Sequence, residues 1–211
     1  MSDNSQPLSE FASATSMAQR TTILKIERRS NSANDPRTAR TDAALVAAFN
    51  RLLLADGYET LTPASIASAA GVARSTFYAH YSSKLALLRH VLQLVLEPLA
   101  DAVDTRRPSN NLELVLDHFW DNRRLARALM AGRPRRILQE RLAEMIESNL
   151  RRRGFVLPVP LPMAASCIAH GQVAMLDSWL AGRDTCSAAK LAEAIRAVGV
   201  ASVKALSDKV L

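Results

Sequence analysis

Cysteine is nearly absent: Cys167 and Cys186, nineteen residues apart, are the only two in the chain. With no CxxC pair and no clustered histidine, they suggest neither a disulfide framework nor a zinc site, and no metal or other cofactor is expected. No secretory leader is expected either, because "MSDNSQPLSEFASATSMAQR" has no basic start followed by an apolar run. A reducing cytoplasm is therefore the expected compartment. Long apolar runs are scarce. Gly154 to Leu176 carries no charged or basic side chain except His170, but the three prolines of "GFVLPVPLP" prevent a continuous helix there. The remainder, from about Met163, is too short to span a bilayer, so a buried helix and no membrane partner are expected. No stretch reads as a convincing strand, and no internal repeat is visible.

The most informative absence is local. Between Glu59 and Glu97 there is no carboxylate, while Arg74, Lys84 and Arg89 are present. Aromatics make up 5% of the chain, yet Phe77, Tyr78 and Tyr81 crowd around His80 in "GVARSTFYAHYSSKLALL". The net charge of +7 and pI near 10.0 suit a polyanion such as nucleic acid, and equally an anionic surface. The first hundred residues hold ten basic and eight acidic side chains of the chain's 27 and 20, so most of the excess lies later. What marks the aromatic stretch is missing carboxylate, not dense base.

Periodicity and punctuation give the organisation. Residues 1–34, rich in Ser, Asn, Thr and Gln, read as a flexible arm. "DPRTARTDAALVAAFNRLLLAD" then offers a capping Asp35, a proline at the first helical position and a stripe of Leu45, Ala48, Phe49, Leu52 and Leu53, ended by Gly57. Thr62 can cap a helix starting at Pro63 and running to about Ala70, and Gly71 can take the left-handed turn before a second short helix from about Arg74. Ala67, Ala70 and Ala73 allow a close crossing, and Ile66, Val72 and Phe77 supply its core. This is a helix-turn-helix pattern. A longer helix follows from Ser82 or Ser83, with Leu85, Leu88, Leu92 and Val95 at helical spacing and a break near Arg107-Pro108. "NNLELVLDHFWDNRRLARALMAG", "PRRILQERLAEMIESNLRRRG", "PMAASCIAHGQVAMLDSWLAG" and "SAAKLAEAIRAVGVASVKAL" continue the helical pattern to the end.

A helix-turn-helix lays its second helix in the major groove. Its exposed positions here would be Ala73, Arg74, Ser75, Thr76 and Tyr78, with Arg74 able to make a bidentate contact to guanine. Tyr78, His80 and Lys84 are donors of different reach at the place where the phosphate backbone would pass, and Lys84 lies near a helix N-terminus that favours an anion. Phe77 and Tyr81 are expected in the core.

With these residues in view, the stretch from about Pro36 to Leu96 resembles the tetracycline-repressor (TetR) family of bacterial regulators. The likeness rests on "ADGYETLT" and "IASAAGVARSTFYAHYSSKLALL": Gly-Val, a short variable helix, Phe-Tyr-x-His-Tyr, then Lys before Leu-Leu. The resemblance implies that Tyr78 and Lys84 contact phosphates, that His80 is another such contact, and that Arg74, Ser75 and Thr76 face bases or backbone; Thr62 joins this DNA-facing set. Ala64 departs from the pattern, standing where some members carry a longer polar residue, so specificity leans on the second helix.

The implied architecture is all-α: a three-helix, homeodomain-like DNA-binding domain over 35–97 and a helical effector-binding and dimerisation domain over 98–211. The resemblance further implies a small-molecule effector and a homodimer formed through the last two helices, about Pro162 to Ala181 and Ser187 to Leu206. Two recognition helices a turn of DNA apart would then read a roughly palindromic operator. Candidate pocket residues are the apolar Phe119, Trp120, Met130, Met145, Met175 and Trp179, with His118 and His170 as polar anchors. "GRPRR" at 132–136 and "RRR" at 151–153 invite a second nucleic-acid reading or an anionic effector, but the triple arginine ends a helix just before Gly154, where cations offset the helix dipole, and that structural reading is preferred there.

The expected function is a ligand-released transcriptional repressor and not an enzyme. Two alternatives remain: a protein-interaction module that keeps the fold, and a helical enzyme using His170 and Asp177, for which no nucleophile, metal cluster or phosphate loop is visible.

Overall fold

The computed structural model describes residues 36–103, 111–183 and 186–207. The expected arm, the Asp35 cap and the break at Arg107-Pro108 lie outside the described residues. The chain divides into two compact units, Met1–Arg40 and Thr41–Leu211. Of the first only the opening residues of a helix are described; the second holds the rest.

Among the described residues the structure is all helical, with no strand. Helix α1, Pro36–Asp56, buries Leu45, Ala48, Phe49 and Leu53 at the spacing that puts them on one face. Helix α2, Pro63–Ala69, starts as its sequence dictates. The Thr62 hydroxyl accepts from the Ser65 amide at 3.0 Å, and the Ser65 hydroxyl accepts from the Thr62 amide at 3.0 Å, a reciprocal cap that satisfies two orphan donors. The turn follows at Gly71, whose φ of 70° lies where a side chain is strained. Helix α3, Arg74–His80, returns Phe77 to full burial in the core that also holds Ile66, Ala67 and Phe49.

Helix α4, Lys84–Asp101, is capped by the Ser83 hydroxyl, which accepts from the Ala86 amide at 3.1 Å. Its buried Leu87, Leu88, Leu92, Leu96 and Leu99 belong to one core shared with both the helices before it and those after. It crosses residue 97 unbroken and contains Pro98.

The segment around residue 120 differs from the single helix expected there. It forms α5, Asn111–Asp121, and α6, Arg123–Leu129, separated at Asn122. Asn122 has ψ 33°, and its side-chain amide donates to the His118 carbonyl at 3.0 Å. An asparagine that competes for a helix carbonyl in this way favours a break. Helix α7, Gly132–Arg152, buries Ile137, Leu138, Leu142, Ile146 and Leu150, and packs against α4 and against α8, Leu161–Ala181. Helix α9, Ala188–Ser207, packs on α5 and α8. Gly199 lets it come close, since a Cβ there would sit 3.3 Å from Val103 Cγ1 and 3.4 Å from the Ala102 carbonyl. Among the described residues no helix is long and apolar enough to cross a membrane.

The turn yields a test. An added Cβ at Gly71 would meet nothing within 4 Å, so Gly71→Ala carries only the backbone penalty of positive φ. Urea denaturation should show a loss of about 1–2 kcal/mol.

Candidate nucleic-acid interface

The second helix of the motif presents the side chains expected of a reading surface, and holds some of them in a defined arrangement. Arg74 and Ser75 are exposed and Thr76 is half-buried, while Tyr78 is 45% exposed beside the buried Phe77. The Arg74 guanidinium donates to the Tyr78 hydroxyl at 3.4 Å and lies 5.6 Å from its ring. One turn of helix thus carries a guanidinium stacked on an aromatic, both open to solvent. Tyr78 is fixed from behind by an edge-on contact with Phe77, ring centres 5.6 Å apart. Thr62 is exposed, but its hydroxyl is engaged in the α2 cap.

His80 and Lys84 are turned inward. Lys84 Nζ donates to the carbonyls of Tyr58, Glu59 and Leu61 at 3.0, 3.1 and 2.9 Å, and sits 4.6 Å from the Tyr58 ring centre. An ammonium has three N–H donors, and all three are matched. Its side chain therefore ties the start of α4 to the α1–α2 loop. Arg51 adds a second tie, donating to the Ala69 carbonyl at 2.8 Å.

His80 faces Asp42, a residue the sequence reading did not single out. Asp42 lies on α1 and gathers three rings: His90 Nε2 at 3.5 Å, His80 Nδ1 at 3.9 Å, and the Tyr81 hydroxyl, which donates a hydrogen bond to it. Tyr81 and His90 have ring centres 5.5 Å apart. The hydrogen bond from His90 is the main influence holding the Asp42 carboxyl below its ordinary value of 3.8; burial opposes it and the Tyr81 bond adds to it. Burial, then the bond to Asp42, pushes the Tyr81 phenol upward, so it stays a protonated donor through the neutral range. The signal for Asp42 was available: it is the only carboxylate between Pro36 and Ala55.

The eight candidate pocket residues fall into different surroundings. Phe119, Met130 and Trp179 are buried in the core, and Met145 and Met175 are packed partly buried against it. Trp120, 39% exposed, stacks on Trp179 with ring centres 4.8 Å apart, and the Arg123 guanidinium covers it at 4.8 Å. His118 lies at the surface beside Asn122, and desolvation by its neighbours lowers its pKa. His170 is exposed and bonded at 2.8 Å to the Ser166 carbonyl. Two surface depressions are lined by Glu59, Gly132, Arg133 and Arg136, and by Leu54, Arg123, Arg124, Arg127 and Ala128; none of the eight lines either. Asp177, paired in the enzymatic alternative with His170, instead accepts from Arg135 and Arg183 at 3.3 and 3.4 Å. Among the described residues no group of His, Cys, Asp and Glu could hold a metal ion.

Residues 45–91, from the middle of α1 into α4, match the model for bacterial regulatory proteins of the tetR family. The chain carries a TetR-family N-terminal domain. Two solved structures share the wider fold. A TetR transcriptional regulator from Streptococcus agalactiae 2603V is 23% identical over 77% of this chain and 95% of its own, with a TM-score of 0.50. NalD, described as the secondary repressor of the MexAB-OprM multidrug efflux pump in Pseudomonas aeruginosa, is 22% identical over 80% and 98%, also with a TM-score of 0.50. No curated protein matches the chain. In this TetR-family domain the matched segment contains the whole helix-turn-helix together with Arg74, Tyr78, His80, Lys84 and the Lys84 carbonyl cluster.

Two tests arise from the inward-turned residues. Lys84→Met leaves three carbonyls without their cation and should lower stability in urea by about 1–3 kcal/mol. Because the folded-state pKa of Asp42 is depressed, its contribution is present above the unfolded value near 3.8 and lost as pH falls below it. Asp42→Asn should therefore be less stable than the parent at pH 6, with a gap that narrows on acidification below about pH 4, read by thermal unfolding against pH.

Proposed function

We propose that the chain is a homodimeric transcriptional repressor that reads a roughly palindromic DNA operator with α3 and is released from it by a small-molecule effector. The observation that carries the reading is the outer face of α3: Arg74, Ser75 and Tyr78 stand exposed on a helix whose only buried residue is Phe77, in a stretch without carboxylates from Thr60 to Leu96. Arg74 supplies the bidentate donor suited to guanine, and the Tyr78 hydroxyl supplies a neutral donor to phosphate. His80 and Lys84 support this face from inside. Lys84 would act on phosphate through its charge, its hydrogen-bond donors being matched by carbonyls.

The domain assignment proposed is 35–97 for DNA binding and 98–211 for effector binding and pairing. Dimerisation through α8 and α9 is supported by exposed apolar side chains on both, Met163 at 62% and Val198 at 48%. The description of NalD as a repressor agrees with repression as the mode of action. No catalytic step is assigned, and the compartment is the cytoplasm.

Fluorescence anisotropy with a duplex from upstream of the gene, beside a scrambled duplex, tests the reading. The first duplex should be preferred, with affinity falling steeply as salt rises. Arg74→Ala should weaken the preferred complex by about 1–3 kcal/mol and narrow the gap between duplexes. Tyr78→Phe should weaken both complexes by a similar smaller factor, as expected for lost phosphate contact. Absence of binding to either duplex at low salt overturns the reading and favours a protein-interaction module.

A further inference from the structure

A second stretch free of carboxylates runs from Asn122 to Gln139 and holds six arginines: Arg123, Arg124, Arg127, Arg133, Arg135 and Arg136. The structure sorts them. Arg135 pairs with Asp177, Arg136 with Glu140 at 3.6 Å, and Arg123 is held by the Leu180 carbonyl at 2.9 Å while it covers Trp120. Arg124 and Arg127 are exposed and have no acidic partner among the described residues. Like charges three and four residues apart on a short helix repel, and α6 carries no acidic residue to offset them.

These guanidiniums rim a groove. Its lining is Arg123, Arg124 and Arg127 of α6, with Ala128 and with Leu54 from the end of α1, which is 45% exposed. The combination is selective. A duplex backbone would match the guanidiniums but leave the leucine uncovered, and an apolar ligand would leave the guanidiniums without a counter-ion. A carboxylate presents two oxygens to one guanidinium, whereas a phosphate ester has enough oxygens to bridge two.

We infer that this groove binds a phosphate monoester with an apolar tail, the phosphate bridging Arg124 and Arg127 and the tail lying on Leu54 and Ala128. The site is separate from the α3 face, and binding to it does not depend on DNA reading, so its failure would leave the proposed function standing.

Isothermal titration calorimetry at physiological salt, without DNA, tests the site with hexyl phosphate and inorganic phosphate as probes. Hexyl phosphate should bind several-fold more tightly than inorganic phosphate. Arg124→Gln with Arg127→Gln should weaken hexyl phosphate about tenfold or more, in line with the loss of charge-assisted hydrogen bonds. Leu54→Ser should remove most of the advantage of the tail. Arg151→Gln with Arg152→Gln, which removes the same charge from exposed positions at the end of α7, should leave binding unchanged. The inference is overturned if hexyl phosphate shows no binding at millimolar concentration. It is equally overturned if the α7 pair weakens binding as much as the α6 pair, since net charge alone would then account for it. All substituted positions are outside the buried core, and circular dichroism of each variant should match the parent.

Discussion

The three helices that carry the reading surface depend on how one ammonium group is satisfied. Lys84 stands at the first position of α4, yet its side chain reaches back to the loop that ends α1 and takes three consecutive-region carbonyls, those of Tyr58, Glu59 and Leu61. A loop that turns between helices leaves carbonyls without amide partners, and a cation with three donors is an economical way to match them. The Tyr58 ring lies against the same ammonium and edge-on to Phe49 of α1, ring centres 6.5 Å apart, so the contact passes into the core. Through this one side chain α4 fixes the place where α2 begins, and α2 and the Gly71 turn then fix α3.

Asp42 does the corresponding work on the other side of α3. It draws residues from the end of α3, its cap and α4 onto α1, using two histidines and a phenol. Asp42 is half-buried, and the lowering of its pKa reflects hydrogen bonds, led by that from His90, that outweigh desolvation. The consequence reaches the surface: with Tyr81 and His80 tied to α1, and Phe77 wholly buried, the exposed side chains of α3 are Arg74, Ser75, Tyr78 and Ala79, the first three of them those proposed to meet DNA. Rigidity beneath the helix is what lets Arg74 and Tyr78 hold a defined relation above it.

Much of this was legible from local chemistry. Thr62, Pro63, Gly71 and Ser83 act within four residues of themselves, and the caps and turn form where those residue types require. The apolar stripe of α1 is read equally directly. What the sequence concealed were relations across the fold. Lys84 looks like a free cation beside a helix N-terminus, and nothing local reveals carbonyls 23 to 26 residues earlier. Asp42 looks like a solvated helix residue until α3 and α4 close over it. The split at Asn122 was hidden because periodicity survives the break, whereas the side-chain bond to His118 that marks it is a matter of geometry. The aromatic and methionine residues of the C-terminal helices gave least, since burial in a core and lining of a pocket draw on the same residue types.

The two stretches without carboxylates therefore mean different things, and composition could not separate them. In the first, two of the groups expected to meet an anion, His80 and Lys84, are committed to internal partners, and a single exposed arginine on α3 stands over an aromatic scaffold. In the second, three of the six arginines find partners within the fold, Arg133 lines the depression beside Glu59, and Arg124 and Arg127 have no acidic partner among the described residues, leaving a pair of outward guanidiniums beside exposed leucine. Absence of carboxylate marks where an anion would be tolerated; the distribution of internal acceptors decides which cations remain to receive it. On the proposed reading, the selectivity of the α3 face would come from how few donors it exposes and how firmly they are held, and its affinity for phosphate would draw in part on charges, such as Lys84, that stay behind the surface.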